Sequence, residues 1–592
     1  MTAKVEVVED IVQPDRLACR IAEKWIEEDT ARNTWKVQTE EIRRYLYATD
    51  TTQTSNSQLP WKNKTTIPKL CQISDNLYAN YIATIFPQQK SLEWQANEAD
   101  ANSVIKRDAI VAYMQWCMDQ PTFRKEVSKL VRDYIEFGNA FVTVEWVDDR
   151  VELDGRVQAG FIGPAARRIN PNDIVMNPTA EAFVYSPKVV RSVINVGEVK
   201  KMLEKMSTDE NREEYEALWN YMKEIRGRAT SFEGEWVQND VMYQIDGFTS
   251  FRDYLRSDYA EILTFYGDMY DVEADTFLKN HVITVVDRHK LIGKKANPSF
   301  FGYPPIFHSS WRQRQDNLWG MGPLANLIGM QYRLDHVENM KADIFDLTTY
   351  PVQKVKGFVE DFTWQPGEKI FVGEEGDVEL VTPDVNALQA NFEIQNLQGL
   401  MEEMAGAPKE AMGFRTPGEK TKYEVQRMEN AASRLFQNKI KQFEEELVEP
   451  LLNAMLELAR RNLTSSTTIK VMDEFNEATF KTLTVEDITG VGRIKPVASR
   501  HFAEKAELVQ NLTNLTGSGL WPTVQPHFSG IKLAKILEDV FNLKEYGVVL
   551  QNVAMAEQAD AMKQSQALEE NVAQQTMTAS GIGEDFDLSQ LQ

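Results

Sequence analysis

The sequence predicts an α+β protein that is predominantly helical, and three observations carry that prediction. Two long stretches, 322–347 and 421–462, repeat apolar residues at three- and four-residue steps, the recurrence of one helix face. Short runs rich in β-branched and aromatic residues, at 140–147, 261–266, 281–287 and within 351–381, are bounded by Gly, Asn and Pro turns and read as strands. Of 592 residues, 42% are hydrophobic and 10% aromatic. A chain of that length exceeds one ordinary core, so two or more modules are expected.

In chain order, 15–48 reads as an amphipathic helical segment with Leu17, Ile21, Trp25 and Ile26 on its apolar side. A Thr/Asn/Gln/Ser-rich linker follows at 49–58. Helical patterns return at 67–86 and 101–137, and Gly138 closes the second as a C-cap glycine does. Residues 140–147 read as a strand and 150–162 as a hairpin turning at Asp154-Gly155. Prolines punctuate 167–178, which reads as an extended loop. Residues 199–228 read as a charged, solvated helix pair, and 241–308 as a second mixed region with short β runs.

The helix at 322–347 has a narrow apolar stripe of Leu324, Leu327, Ile328, Gln331, Leu334, Val337, Ile344 and Phe345. Asp335, Glu338, Asp343 and Asp346 fall elsewhere on its surface, which is expected to be wet. Three short strands follow at 351–355, 368–372 and 377–381, the last two joined by the turn Gly373-Glu374-Glu375-Gly376. A shorter helix covers about 386–404. The loop 406–420 contains three glycines and two prolines, which deny it regular structure. Lys409, Arg415, Lys420 and Lys422 make it locally basic.

The helix at 421–462 buries Val425, Met428, Ala432, Leu435, Ile440, Phe443, Leu447, Leu451, Met455 and Leu458. At about 1.5 Å rise per residue it forms a rod roughly 60 Å long. Pro450 lacks an N–H and its ring crowds the preceding turn. The expected result is a bend at 446–449, not an end, because the apolar pattern resumes at Leu451. Beyond it, 468–494 reads as strand or loop, 498–515 and 530–541 as helices, and 548–578 as helix-competent. The last dozen residues are acidic and read as disordered.

Three cysteines, Cys19, Cys71 and Cys117, show no CxxC spacing, which argues for a reducing compartment and against a zinc site. Six histidines are scattered without HExxH or HxH spacing. The acidic runs Glu402-Glu403 and Glu444-Glu445-Glu446 offer paired carboxylates, but on a helix surface they read as solvated faces. The stretch Gly413-Phe-Arg-Thr-Pro-Gly418-Glu419-Lys420-Thr421 nearly matches a phosphate-cradling P-loop. Glu419 is one residue too many and puts a carboxylate where N–H groups face phosphate. A nucleotide-binding enzyme using this degenerate loop at 413–421 stays as the alternative reading. No elbow or dinucleotide fingerprint is present, so the chain is expected not to be an enzyme and to carry no cofactor or metal. The first thirty residues lack a signal-peptide core, and no apolar run approaches a membrane span, so synthesis in a cytoplasm and no membrane partner are expected.

Taken in order, several phrases resemble the portal, or head–tail connector, proteins of tailed bacteriophages, particularly short-tailed ones. They are Tyr134-Ile-Glu-Phe-Gly-Asn-Ala-Phe-Val142 before a hairpin, Arg168-Ile-Asn-Pro-Asn-Asp-Ile-Val-Met-Asn-Pro178, Pro304-Pro-Ile306 ahead of Trp319-Gly-Met-Gly-Pro323, and Gly406-Ala-Pro-Lys-Glu-Ala-Met-Gly413 before the long helix with Glu449-Pro-Leu-Leu452. The resemblance spans roughly residues 15–550 and rests on the order of these parts.

It implies a ring, commonly of twelve subunits, at one capsid vertex, with a channel for double-stranded DNA. Carried across, residues 1–318 resemble a wing region, 319–348 a first stem helix, 349–385 a β-containing clip and 386–405 a second stem helix. Residues 406–420 resemble a tunnel loop, 421–462 the long kinked helix, 463–547 a wing or crown region, and 548–592 a C-terminal helix and tail. The implied partners are further copies of the chain, the terminase large subunit, tail adaptors, capsid and scaffolding proteins, and DNA in transit. The implied location is the portal vertex of the virion.

Lys409, Arg415, Lys420 and Lys422 are then candidates for weak DNA contacts, each of them equally readable as a solvated surface cation. Asp335, Glu338, Asp343 and Asp346 are candidates to line the channel, and Lys356, Glu360, Asp361, Lys369, Glu374 and Glu375 to dock the motor or adaptor. A net charge of −24 disfavours a protein that wraps duplex DNA through Lys and Arg, yet suits a conduit whose walls repel phosphate. A different head–tail adaptor is the other structural alternative.

Overall fold

The computed structural model describes residues 15–86, 92–96, 103–153, 156–207, 212–226, 259–297 apart from 273, 287 and 289, 302–357, 375–381, 389–405, 438–463, 467–472 and 478–496 apart from 491, with isolated positions 359, 371 and 373. It is a mixed protein of helices and antiparallel sheets. The chain divides into two compact units. The first holds 1–466 and 483–499, and the second holds 467–482 and 500–592.

The expected helical segment at 15–48 is two helices, α1 (Arg16–Ala31) and α2 (Asn33–Tyr47). They are interrupted at Arg32, whose buried guanidinium donates to the carbonyls of Pro171, Asn172 and Ile174. The linker after α2 is not an open coil. It forms two 3-10 turns, Thr51–Gln53 and Ser55–Gln58, capped by the side chains of Asp50 and Thr54. Then come α3 (Lys69–Ile85), strand β1 (Leu92–Ala96), α4 (Ser103–Met118) and α5 (Pro121–Glu136), which starts on a proline whose missing N–H costs nothing there.

Gly138 ends α5 with φ +70°, and a Cβ built on it would lie 2.2 Å from Gly322 N and 2.5 Å from Met321 C. Both contacts are backbone, so nothing flexible can yield. Gly138→Ala is therefore expected to destabilise the first unit by about 3 kcal/mol or more, combining left-handed strain with overpacking. A chemical unfolding midpoint equal to wild type would refute this.

Strands β2 (Asn139–Leu153) and β3 (Arg156–Ile169) form the expected hairpin, with Leu153 opposite Arg156; its turn, Asp154-Gly155, lies outside the described residues. Strand β9 (Ile306–Ser310) adds to the other edge of β2, giving the order β3-β2-β9. The stretch 167–178 is less of a loop than its prolines suggest: 167–169 end β3, and 174–176 form a strand.

That strand, β4 (Ile174–Met176), opens a five-stranded antiparallel sheet with β5 (Lys188–Asn195), β6 (Tyr259–Asp271), β7 (Thr276–Val286) and β8 (Lys290–Ala296), in that order. Two helices, α6 (Val196–Met206) and α7 (Arg212–Arg226), lie between β5 and β6 in sequence. Alternation along β6 divides the core. Leu263 and Phe265 pack with Ile21, Ala22 and Trp25 of α1, while Ala260 and Ile262 pack with Val199, Leu203 and Met222 of α6 and α7. The 199–228 region thus buries one face and is not simply solvated. Burial of such side chains contributes about 1.5–3 kcal/mol each.

A short pair, β10 (Arg312–Arg314) and β11 (Asn317–Met321), leads into α8 (Ile328–Thr349). That helix starts six residues later than the periodicity indicates, because 323–327 form turns. Strands β12 (Val352–Lys356) and β13 (Asp377–Val381) pair with each other. Of the expected strand 368–372, Phe371 alone is described, and it is exposed and outside any strand. Helix α9 (Asn391–Ala405) follows.

The long helix is described from residue 438 onward, so its 421–437 part lies outside the described residues. Ahead of Pro450 the helix widens into a π-turn, Glu444–Val448, in which Glu449 N–H reaches Glu444 O. α10 (Glu449–Asn462) then continues with Pro450 in its first turn. The proline's lost N–H and bulky ring are thus absorbed by one wide turn, and helical dihedrals persist at Val448 and Glu449. Leu451, Leu452, Met455 and Ala459 beyond it are buried.

The pair β14 (Thr467–Met472) and β15 (Ala478–Leu483) represents the second unit among the described residues, with Leu483 itself belonging to the first. Strand β16 (Gly492–Pro496) returns to pair with β1. No described helix is long and apolar enough to cross a membrane. The helices expected at 498–515, 530–541 and 548–578 and the tail lie outside the described residues.

Candidate functional site

The polar chemistry that distinguishes this fold runs along α8. Residues 61–68, which follow Pro60 and end at Pro68, form a strap outside any helix or strand, and Pro68 disfavours helix at Ile67 before it. Along the helix, Gln331, Asp335, Asn339 and Asp343 recur at four-residue steps. They hold the strap at two-residue steps. Ile67 N donates to Asp335 Oδ1 at 2.9 Å, Thr65 N to Asn339 Oδ1 at 2.7 Å, and Asn63 N to Asp343 Oδ1 at 2.8 Å.

The match is geometric. Four helical residues rise about 6 Å, and two extended residues span about 6.6 Å, with alternate N–H groups pointing the same way. The helix thereby acts as the missing neighbour strand for a segment that has none. Secondary bonds complete it: Thr66 Oγ1 to Asp335, Asn339 Nδ2 to Thr65 O, Lys62 N to Asp343, Asn63 Nδ2 to Asp346, and Gln331 Nε2 to Ile67 O at 2.6 Å.

Asp335 is fully buried. Burial raises its carboxyl above the usual range, against the lowering effect of the Ile67 N–H, the Thr66 hydroxyl and the Gln331 amide. Asp343 is affected less by its partial burial. The N–H groups of Asn63 and Lys62 prevail and hold it below the usual range.

These contacts correct the expectation that the four acids lie on the wet surface of the helix. Asp335 lies inside the protein. Asp343 is engaged by the backbone of Lys62 and Asn63. Glu338 is half-buried and paired with Lys341 at 2.8 Å. Asp346 is exposed, with one bond to Asn63. Phe345, expected within the buried stripe, is 60% exposed, and Ile344 is half-buried.

Past the strap, Lys69 makes a buried ion pair with Glu402 of α9. Lys341 Nζ reaches Asn391 Oδ1 at 3.1 Å, and Arg333 pairs with Glu393 at 2.9 Å. α8 and the start of α3 therefore brace α9, whose last residue precedes the 406–420 loop.

The opposite end of α8 leads to a module with no buried side chain among its described residues 350–357 and 375–381. Tyr350 (70%), Val352, Val355, Phe371, Leu380 and Val381 are exposed there, and Phe392 on α9 is 81% exposed. In β12–β13, Lys354 faces Glu379 and Lys356 faces Asp377. Lys354 Nζ pairs with Glu379 Oε2 at 2.9 Å, so β12 carries the cations and β13 the anions of cross-strand pairs. Lys356 and Glu375, both candidates for partner docking, are exposed. Glu360, Asp361, Lys369 and Glu374, the four basic candidates Lys409, Arg415, Lys420 and Lys422, and the near-P-loop at 413–421 lie outside the described residues.

No group of His, Cys, Asp and Glu suited to a metal ion occurs among the described residues. Sequence reasoning missed Trp61, Asn63, Thr65, His336 and Asn339 as parts of one site. The available signal was the four-residue repeat of Gln, Asp, Asn and Asp on one helix opposite a proline-bounded extended run.

Fold and site together define a mixed helix and antiparallel-sheet protein in which a polar strap braces the helix leading to an exposed apolar module. A scan against protein-family models matches none of them, and no curated protein matches the sequence.

Proposed function

We propose that this chain is the subunit of a portal ring of a tailed bacteriophage, the channel through which double-stranded DNA enters and leaves the capsid. In this reading α8 and α9 are the stem helices, 349–385 is the clip and 406–420 the tunnel loop. The ring docks the terminase motor during packaging and tail adaptors afterwards, and with capsid and scaffolding proteins it starts head assembly. Lys409, Arg415, Lys420 and Lys422 make weak contacts to passing phosphates, while a strongly acidic chain keeps DNA from adhering.

The observation that carries the reading is the module at 350–381. A two-stranded sheet with no buried side chain among its described residues is marginal by itself. Its exposed Val, Leu, Tyr and Phe side chains, and its β12 cations opposite β13 anions, suit head-to-tail contact between copies. Contacts of that heterologous kind close into rings. The exposed edges also resist misuse by strangers, because edge lysines and acids discourage unselective pairing.

Native mass and electron-microscope class averages test it. The expected result is a ring with a central hole near 810 kDa, about twelve subunits of 67.8 kDa. A compact dimer with nucleotide hydrolysis would overturn the portal reading in favour of the enzyme.

A further inference from the structure

The strap is fastened at its first residue by a bond unlike the others. Trp61 Nε1 donates to His336 Nδ1 at 2.9 Å, with the two rings 5.3 Å apart. Tyr332 lies nearly parallel to the same imidazole at 6.5 Å, one turn back on α8. An indole N–H only donates, so the contact requires an imidazole nitrogen with a free lone pair. An imidazolium carries N–H on both nitrogens, and protonation therefore turns this bond into two donors facing each other.

We propose that His336 and Trp61 form a proton-operated release for the strap: when the imidazole is protonated, residues 61–63 open from α8 more often, while Thr65 stays bound to Asn339. Histidine is the side chain whose ordinary titration falls between pH 5 and 8. The Thr65 N–H, held by the Asn339 amide, has no titrating acceptor, whereas the Ile67 N–H is held by Asp335, whose carboxyl burial raises, so Thr65 is the internal reference. Asn339 and Gln331 are amides, and Asp343 is held below the usual carboxylate range by the N–H groups that outweigh its partial burial.

Charges on the elements packed around His336 are of both signs. The strap carries Lys62 and Lys64; α8 carries Arg333, Asp335, Glu338, Lys341, Asp343 and Asp346; α2 carries Lys36, Glu40, Glu41, Arg43 and Arg44; and α9 carries Glu393, which Arg333 holds, with Glu402 and Glu403. The turn 55–58 carries none. Each opening uncovers Asp343 and Asp346, the acceptors of Asn63 and Lys62 on the helix that leads into the exposed module. It also loosens the run that ends at the Lys69–Glu402 pair with α9. The device is independent of the portal reading, because it rests on contacts within one subunit.

Hydrogen exchange read by mass spectrometry on the full chain, at pH 8.0 and 5.5 with times corrected for intrinsic rates, tests it. In wild type, protection at Lys62 and Asn63 is expected to fall about tenfold at the lower pH, the factor equivalent to one hydrogen bond of about 1.4 kcal/mol. Protection at Thr65, whose acceptor is the Asn339 amide, is expected to hold. His336→Asn, whose amide oxygen accepts near the Nδ1 position at either pH, is expected to abolish the step. Trp61→Phe, which removes the donor, is expected to show low protection at both pH values. An undiminished wild-type signal at pH 5.5, or the same fall in either variant, overturns the proposal. The Trp61→Phe arm decides the matter if the asparagine variant does not fold.

Discussion

In the proposed ring, replacing Lys354 and Lys356 together by glutamate is expected to leave the subunit's core folded but to prevent closure. Both side chains are exposed on β12 and neither supports a core, so the cost within the subunit is confined to the β12–β13 pair, where two cross-strand attractions become repulsions of roughly 0.2–1 kcal/mol each. Between copies the effect is larger. A head-to-tail interface that set cationic β12 against anionic β13 now sets acid against acid, and like charges brought together cost several kcal/mol per interface. That cost recurs at every interface of the ring.

The complementary variant, Asp377→Lys with Glu379→Lys, makes both edges basic and is expected to fail alone in the same way. Mixing the two variants restores an alternating complementarity, and rings should return in the mixture. Native mass of each variant and of the mixture is the measurement. Rings from the lysine-to-glutamate variant alone would remove these edges from the assembly interface. Monomers of the wild-type chain under the same conditions would instead count against the ring itself.

Lys188→Met is expected to remove a rise of stability with pH that wild type shows between about pH 7 and 9. Lys188 is fully buried on β5, its Nζ donating to the carbonyls of Phe183 at 2.8 Å and Val184 at 3.2 Å and lying 4.2 Å from the Phe183 ring. None of the described residues forms an ion pair with it. Burial pushes the ammonium down to about 7, well below its unfolded value near 10.4.

Between those two values the unfolded chain holds the proton and the folded chain does not, so stability increases as pH rises; below about 7 both forms are protonated and the term is constant. From pH 7 to 9 the gain is about 2 kcal/mol. His308, stacked on Phe141 with its Nε2 3.1 Å from Asn139 Oδ1, is pushed down to about 3 by burial and by the Lys188 charge. Its contribution is lost as pH falls below about 6.5, outside that window. Burial also pushes the Cys117 thiol and the Tyr113 hydroxyl up, which works against stability at alkaline pH, equally in both proteins. Urea unfolding of wild type and Lys188→Met at pH 7, 8 and 9 isolates the lysine. Parallel pH dependence in the two would refute the assignment.

Periodicity and punctuation made much of the fold legible. The Asp154-Gly155 signal marks the β2–β3 hairpin, Gly138 closes α5 with the positive φ that its C-cap position requires, and 377–381 is a strand as its alternation indicates. These are local effects, written within a few residues. The interruption at Arg32, by contrast, has no local signal of that kind. It arises because a guanidinium is drawn between three carbonyls about 140 residues away in sequence. At Pro450 the sequence announces a disturbance, but the wide π-turn that resolves it depends on docking of the preceding turns. There Gln442 reaches Ser310 O at 3.1 Å and Glu446 accepts from Ser309 at 2.8 Å.

The candidate site divides in the same way. By itself the sequence determined the α+β class, the helix-strand-helix order from α8 to α9, the acidity of the chain and the residues that carry the portal resemblance. Tertiary structure decided which acids face water. Asp335, Asp343 and Asp346 look alike in sequence. What separates them is a strap about 270 residues upstream, whose backbone N–H groups need acceptors and find one at every fourth residue of α8. Helical periodicity reports only that a face is polar. Whether that face meets solvent or a chain segment in need of hydrogen bonds depends on a distant partner, and a pattern within the helix carries no information about it.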